Sequence, residues 1–213
     1  MSMSRNEIES LALKAARGAG LSWGLAEEAA AAAGWLAAHG LPWAEELADV
    51  LDRTGATSPP RVEDGTVAPS RPGSALCPIL TGAFLSDLGP AAVPTEICDL
   101  LAPAWIVPFV ARVAGPDRPL SVAWAGGQLL VGGPDAGVRG RVPAPSAGVR
   151  HRVTIAAAPG EPRTGAPLPR RAAPYAVPEA ALQRLLALEQ RCYVPASMHS
   201  RLAGAGAGLL DND

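Results

Sequence analysis

The chain has 213 residues and a formal net charge of −2, with 48% hydrophobic but only 4% aromatic residues. This length suits one large domain, and the composition predicts a core built mainly from alanine, leucine and valine. No basic block is long enough for a nucleic-acid surface, and no run approaches the roughly 18 consecutive apolar residues of a membrane span. We therefore predict a protein that binds neither nucleic acid nor membrane.

The cysteines and the first residues indicate a compartment. Cys77, Cys98 and Cys192 are odd in number and form no CxxC pair, which is typical of free thiols in a reducing environment. The segment 1–7 has no apolar signal core. We expect a cytoplasmic protein.

Residues 1–56 predict a layer of three short helices. Ser4 and Glu7 have the spacing of a capping box at the start of the first helix. Ser22 can cap the second helix, and glycines separate all three. Short connections of this kind are typical of a compact helical layer.

Residues 57–75 are rich in proline and glycine and predict a connection between this layer and an α+β portion over 76–213. Within 76–101 the pattern is ambiguous, and Thr95 is in position to cap a short helix. The two portions are expected to form one integrated domain.

The central segments predict strands. Residues 105–113 are rich in β-forming types, and Pro108 would place them at a sheet edge or a bulge. Residues 120–124 and 128–131 flank a glycine-containing turn, which indicates a hairpin. Residues 149–155 alternate between apolar and polar types. Together these segments predict a small antiparallel β-meander.

A final helix begins at Pro178 and places Ala181, Leu185, Leu188 and Cys192 on one face. A glycine-rich tail that also carries leucines follows, and we expect it to be ordered. The predicted fold class is therefore α+β, with an N-terminal three-helix layer, a small antiparallel β-meander and a C-terminal helix with an ordered Gly-rich tail.

The first candidate site lies at the turn between helices 1 and 2. Lys14 is the single lysine beside seventeen arginines, and lysine can lose its proton where arginine cannot. Arg17 lies one turn further on, and Trp23, Glu27 and Glu28 begin the next helix. These residues predict a mixed-charge pocket for a small anion or an amino-acid-like molecule. The alternative is a solvated helix face with ordinary ion pairs.

The tail is the second candidate. Its glycines do not form a P-loop, because no Lys-Ser/Thr pair follows them. It would instead thread into a groove and bring Arg201 to the site, or else serve as a structural plug over an apolar surface.

The histidines suggest no metal site or cofactor. His39, His151 and His199 are scattered, with no HxxxH spacing or Cys/His cluster. His39 fits the C-terminus of the second helix, where a cation is favourable. No catalytic residue can be named.

Two segments near the chain ends carry a family resemblance. One contains Lys14-Ala-Ala-Arg-Gly-Ala-Gly20 and Trp23-Gly-Leu-Ala-Glu-Glu28, and the other covers 193–213. They resemble an uncharacterised bacterial family, domain of unknown function 3726. The resemblance implies no activity, but it makes the two ends better places for a site than the middle.

The leading hypothesis is a protein that binds a small polar or anionic metabolite where the helix 1–helix 2 turn meets the tail. The rival is a non-catalytic accessory subunit that docks on a partner enzyme, or a homo-oligomer. A DNA-binding regulator is disfavoured because the second helix carries two glutamates and no basic residue.

Overall fold

The computed structural model describes residues 1–133, 137–145, 147–158 and 165–193. Helices and strands both occur throughout this part of the chain, so the α+β class is confirmed. Its α-helices are α1 (Arg5–Gly18), α2 (Trp23–Ala38), α3 (Ala44–Asp52), α4 (Pro78–Leu88), α5 (Val107–Val113) and α6 (Glu179–Glu189). Its strands are β1 (Ser2–Met3), β2 (Thr57–Ser58), β3 (Pro60–Glu63), β4 (Thr66–Pro69), β5 (Ala75–Leu76), β6 (Thr95–Leu100), β7 (Leu120–Trp124), β8 (Gly127–Gly132), β9 (Gly137–Arg141), β10 (His151–Ala157) and β11 (Tyr175–Ala176).

The first two of the three N-terminal helices begin where their capping residues predict. The Ser4 N–H donates to the Glu7 carboxylate at 2.7 Å, and the Glu7 N–H donates to Ser4 Oγ at 3.3 Å. Ser22 Oγ accepts the N–H of Leu25 at 3.4 Å. Each cap satisfies amide groups that the first turn of a helix leaves unpaired. The predicted helical layer and its capping box are confirmed.

Nine strands form one mixed sheet, in the order β2-β5-β6-β10-β7-β8-β9, with the β3–β4 hairpin attached through β4 to β6. The ladders from β6 to β9 are antiparallel and include the predicted hairpin and meander. By contrast, β4 and β5 pair with β6 in parallel. The sheet is larger than a meander because strands that are distant in sequence join its other half.

Three local predictions were wrong. Residues 57–75, predicted as a loop or linker, carry β2, β3, β4 and the first residue of β5. Thr95 begins strand β6 instead of capping a helix, because Thr95, Ile97 and Leu100 are buried in the sheet. Residues 105–113 are helical, with Pro108 in the first turn of α5, where its missing N–H costs nothing.

The helices are layered on the sheet. α5 contacts β7 and β8, α2 packs on α4 and α5, and α1 packs on α2 and α6. One hydrophobic cluster takes residues from both predicted portions, from Ile8 in α1 to Leu185 in α6. Trp105 and Phe109 are fully buried within it. In the described ranges, no helix is both long and apolar enough to span a bilayer.

Candidate functional site

Lys14 is part of a contact between α1 and the C-terminal helix. Its Nζ donates to Glu189 Oε1 at 3.0 Å, and the Tyr193 hydroxyl donates to the same oxygen at 2.7 Å. The hydrogen bond to Glu189 is the main cause that raises the pKa of Lys14. The amine is therefore held in its charged form, which suits an ion pair and opposes a role as base or nucleophile.

Arg17 and Trp23 lie together at the turn between α1 and α2. The Arg17 guanidinium donates to the carbonyl of Leu21 and sits 5.2 Å from the centre of the Trp23 ring. The Trp23 side chain is 61% exposed. The turn therefore presents a cation stacked on an exposed indole.

The two glutamates of α2 have different surroundings. Glu28 forms an ion pair with Arg112 of α5, and Glu27 is exposed. Arg201 and the glycine-rich tail lie outside the described residues. The structure thus brings Arg17 and Trp23 together, and places Lys14 and Glu28 in ion pairs with different helices.

The prediction that Cys192 lies on the apolar face of the last helix was wrong. It follows α6 in a short 3₁₀ turn, is exposed, and donates its thiol hydrogen to the Lys14 carbonyl at 2.9 Å. The predicted apolar face therefore ends at Leu188.

A large open groove runs along one face of β8 and β9. Its volume is about 650 Å³, and its polar lining includes Gln128, Arg139 and Arg141. Gln128 donates to Ser121 Oγ at 3.1 Å. Neither arginine forms an ion pair with another residue in the part of the chain that the structure describes. The groove is therefore positively charged.

A second cavity, of about 320 Å³, lies where the C-terminus of α2 meets the end of α5 and the β8–β9 ladder. Trp35 of α2 and His39 at its C-cap line one side, and Arg170 lines it from the segment before β11. This volume lies in the range of small-molecule sites. We call this cavity the His39 cleft.

The orientation of His39 is fixed by the helix that it caps. His39 Nδ1 lies 2.9 Å from the carbonyl oxygen of Trp35, and the two rings stack with centroids 4.0 Å apart. Because a carbonyl oxygen can only accept, Nδ1 must carry the hydrogen. In the neutral ring, Nε2 is then left with a lone pair.

The surroundings of His39 oppose the positive charge that a helix C-terminus favours. The residue does occupy the C-cap of α2, but it is only 7% exposed. Burial is the main cause that lowers its pKa, the hydrogen bond to Trp35 opposes this, and the charge of Arg170 lowers the pKa further. Burial therefore outweighs the attraction of the helix C-terminus, and the neutral ring is favoured.

The arrangement combines three chemical functions in one concave space. The Arg170 guanidinium can pair with an anion, Trp35 offers an aromatic surface, and His39 Nε2 can accept a hydrogen bond or a proton. Across the described ranges, no group of three or more His, Cys, Asp or Glu side chains could hold a metal ion.

Residues 3–79 match the model of a family described as a protein of unknown function (DUF3726). The resemblance of the N-terminal segment is confirmed, and the match does not extend to the segment 193–213. The DUF3726 region contains Lys14, Arg17, Trp35 and His39, whereas Arg170 comes from outside it. No curated protein and no solved structure matches the chain.

The His39 cleft was not among the sites predicted from the sequence. Trp35 and His39 are four residues apart, the spacing that places two side chains on one helix face. That spacing was available as a signal. Arg170 was not predictable as their neighbour, because no local pattern connects it with the end of α2.

Proposed function

We propose that the chain binds a small anionic metabolite, and that the His39 cleft is the binding site. The observation that carries the proposal is a buried neutral imidazole beside a guanidinium in a cavity of about 320 Å³. The proposal keeps the ligand class expected from the sequence and moves its location from the α1–α2 turn.

The charges favour this location over the turn. Lys14 and Glu28 are already neutralised by Glu189 and Arg112, so a ligand there would have to displace an existing partner. Arg170 faces the cleft with an exposed side chain. A ligand anion can pair with it without breaking a salt bridge in the described residues.

The chemistry of His39 narrows the ligand. Because Nε2 accepts, the best partner for it is a ligand hydroxyl or ammonium group that donates. A small hydroxy acid or amino acid carries both a carboxylate for Arg170 and such a donor. The apolar wall formed by Trp35, Ala111 and Val131 suits a short hydrocarbon part.

The proposal is tested by thermal-shift titration of the purified chain with glycolate, lactate, serine and inorganic phosphate. A saturable rise in Tm is expected for an anion that binds the folded state in preference to the unfolded state. Arg170→Gln should remove the rise, whereas the matched Arg141→Gln change in the open groove should leave it unchanged.

His39→Asn separates the structural and binding roles of the imidazole. The asparagine amide can still donate to the Trp35 carbonyl, but it has no counterpart of Nε2. We expect His39→Asn to bind the anion more weakly than the wild-type chain, while its Tm without ligand stays unchanged. A shift lost only in Arg141→Gln would locate binding in the groove, and one lost only in Lys14→Met would restore the helix-turn site. No saturable shift with any anion would overturn the proposal.

The accessory-subunit alternative is supported by a separate surface. Trp23 is 61% exposed and Tyr193 is 50% exposed, and each has a cation of α1 over its ring, Arg17 or Lys14. Tryptophan, tyrosine and arginine are enriched at energetic centres of protein interfaces. Co-purification of a defined enzyme that is lost in Trp23→Ser, but retained in Arg170→Gln, would favour this alternative.

A further inference from the structure

Helix α3 carries a glutamate on its buried face. Glu46 is only 7% exposed and lies among Trp43, Leu47 and Val50, which are also buried. Its Oε2 atom has no hydrogen-bond partner in the described part of the molecule. Burying a carboxyl group without a partner costs free energy. A bound group that donates a hydrogen bond to Oε2 would remove this cost.

Two small spaces meet at this side chain. One is lined by Trp124, Pro143 and His151, and the other by Asp49 and Arg53, with Glu46 and Ala102 common to both. Each has a volume of about 10 Å³. That is close to the space that one water-sized group needs. We call the two spaces together the Glu46 cleft.

The backbone beside Glu46 is held in an unusual conformation. Ala102 has φ of 41°, in the left-handed region that non-glycine residues rarely adopt. It begins the turn that leads into buried Trp105. Strained positions of this kind persist where the surroundings hold them, and they cluster at functional sites.

The acidic side chains of α3 favour a cation beside Glu46. Burial, with smaller effects from the charges of Glu45 and Asp49 on α3, raises the pKa of Glu46 to about 8. Across the cleft, burial lowers the pKa of His151 and favours its neutral form. Arg53 is the cation in the second space, where its guanidinium donates to the Asp49 carbonyl at 3.4 Å.

We propose that the Glu46 cleft binds a single ammonium group, with the Glu46 carboxylate as its counter-ion and Trp124 as an aromatic wall. An ammonium group is close to water in size, donates to the unpaired oxygen, and is favoured beside an indole. The volume admits the head of a primary amine rather than a whole metabolite. This site is separate from the His39 cleft and does not depend on the proposed function.

Binding moves one proton. At neutral pH the Glu46 carboxyl group holds a proton, and the incoming ammonium can pair with it only after that proton leaves to the buffer. The ammonium keeps its own protons, so one proton is released for each cation bound. The affinity should therefore rise with pH, up to tenfold per unit, and level off above the pKa of Glu46.

The test is calorimetric titration with methylammonium chloride at pH 7, in two buffers of different ionisation enthalpy. Saturable binding with proton release is expected. Tetramethylammonium, which is too large for the cleft, and sodium should give no saturable signal at equal ionic strength. Saturable binding of ammonium chloride would indicate a free ion as the ligand, and saturable binding of ethanolamine would indicate the head of a larger amine.

Glu46→Gln should weaken methylammonium binding by at least tenfold, and the matched Glu45→Gln change should alter it by less than about threefold. Equal binding in Glu46→Gln, or no saturable binding in the wild-type chain, would overturn the proposal and leave a water molecule as the occupant. If Glu46→Gln does not fold, the pH series decides, because a pH-independent affinity would also overturn it.

Discussion

Helices α1 and α3 use their charged residues in opposite ways. Lys14 of α1 lies near the surface and has a partner, Glu189, at 3.0 Å. Glu46 of α3 is buried, and one of its carboxyl oxygens has no partner in the described residues. Lysine was prominent in the sequence because it is rare there. Rarity marks a residue for attention, but burial without a partner is what changes its chemistry.

The largest expected effect separates these two cases through pH. The pKa of Glu46 is raised from 4.5 to about 8, so the folded chain keeps a proton that the unfolded chain releases. Stability is therefore present at low pH and is lost as pH rises from about 5 to about 8, by roughly 1.4 kcal/mol per unit. Glu46→Gln should remove this slope. At pH 8 the variant should be more stable than the wild-type chain, by on the order of several kcal/mol.

Urea denaturation at pH 5, 6.5 and 8 measures this difference. Wild type and Glu46→Gln should have similar free energies of unfolding at pH 5, and the difference between them should grow as pH rises. A wild-type chain as stable at pH 8 as the variant would mean that Glu46 ionises normally, and the contrast with Lys14 would disappear.

The second prediction tests how closely α1 is packed. A Cβ atom at Gly18 would collide with the carbonyl of Leu188, whereas one at Gly24 would meet nothing within 4 Å. Gly18→Ala should lower the free energy of unfolding by about 1–3 kcal/mol through overpacking. Gly24→Ala should be neutral or slightly stabilising, since alanine favours helix. Chemical denaturation of the pair compares them, and equal effects would contradict the close approach of α1 and α6.

The third prediction concerns the buried side chain of His39. Because the pKa of His39 is lowered, the unfolded chain takes up a proton before the folded chain does as pH falls. Stability should therefore be lost below about pH 6.5, the ordinary value for histidine. His39→Asn should show a shallower loss, and His151, whose pKa is also lowered, should contribute to the remainder. An unchanged acid limb in thermal melts would show that His39 titrates normally.

The smallest effect is expected at the surface. Lys14→Met removes an ion pair whose ammonium end is exposed to solvent, and such pairs contribute little to stability because water screens them. The Tm should fall only slightly, with no change in anion binding. Scanning calorimetry beside Arg5→Met, which breaks the exposed pair with Glu9, provides the control. A large loss only in Lys14→Met would make the contact with Glu189 and Tyr193 a structural centre.

Local signals predicted the helical layer and the hairpin but not the whole sheet. Ser4 and Ser22 mark helix starts by a short-range mechanism that needs no tertiary partner. The parallel ladder of β4 with β6 joins residues such as Val67 and Ile97, and nothing near either residue encodes that pairing. The segment of α5 was predicted as a strand because of its β-branched residues, and Pro108 was placed at a sheet edge or bulge. Proline is equally compatible with the first turn of a helix, where it lies in the structure.

The site was harder to predict than the fold for a similar reason. The resemblance and the rarity of lysine directed attention to α1, where Lys14 and Arg17 do lie. Glu46 occurs at helical spacing between Trp43 and Val50, so its burial was predictable from the apolar face of α3. Its proximity to His151 depends on the arrangement of the sheet, which the sequence pattern did not supply.

The pairing of the first and last described strands has a consequence during synthesis. Ser2 and Met3 pair with Ala176 and Tyr175, and the Val177 N–H donates to the Met1 carbonyl at 2.8 Å. Strand β1 can therefore pair with β11 only after almost all of the described protein has left the ribosome. Helix α1 waits similarly for α6. The DUF3726 region alone, made as a fragment, should expose the surfaces that these later segments cover and should aggregate.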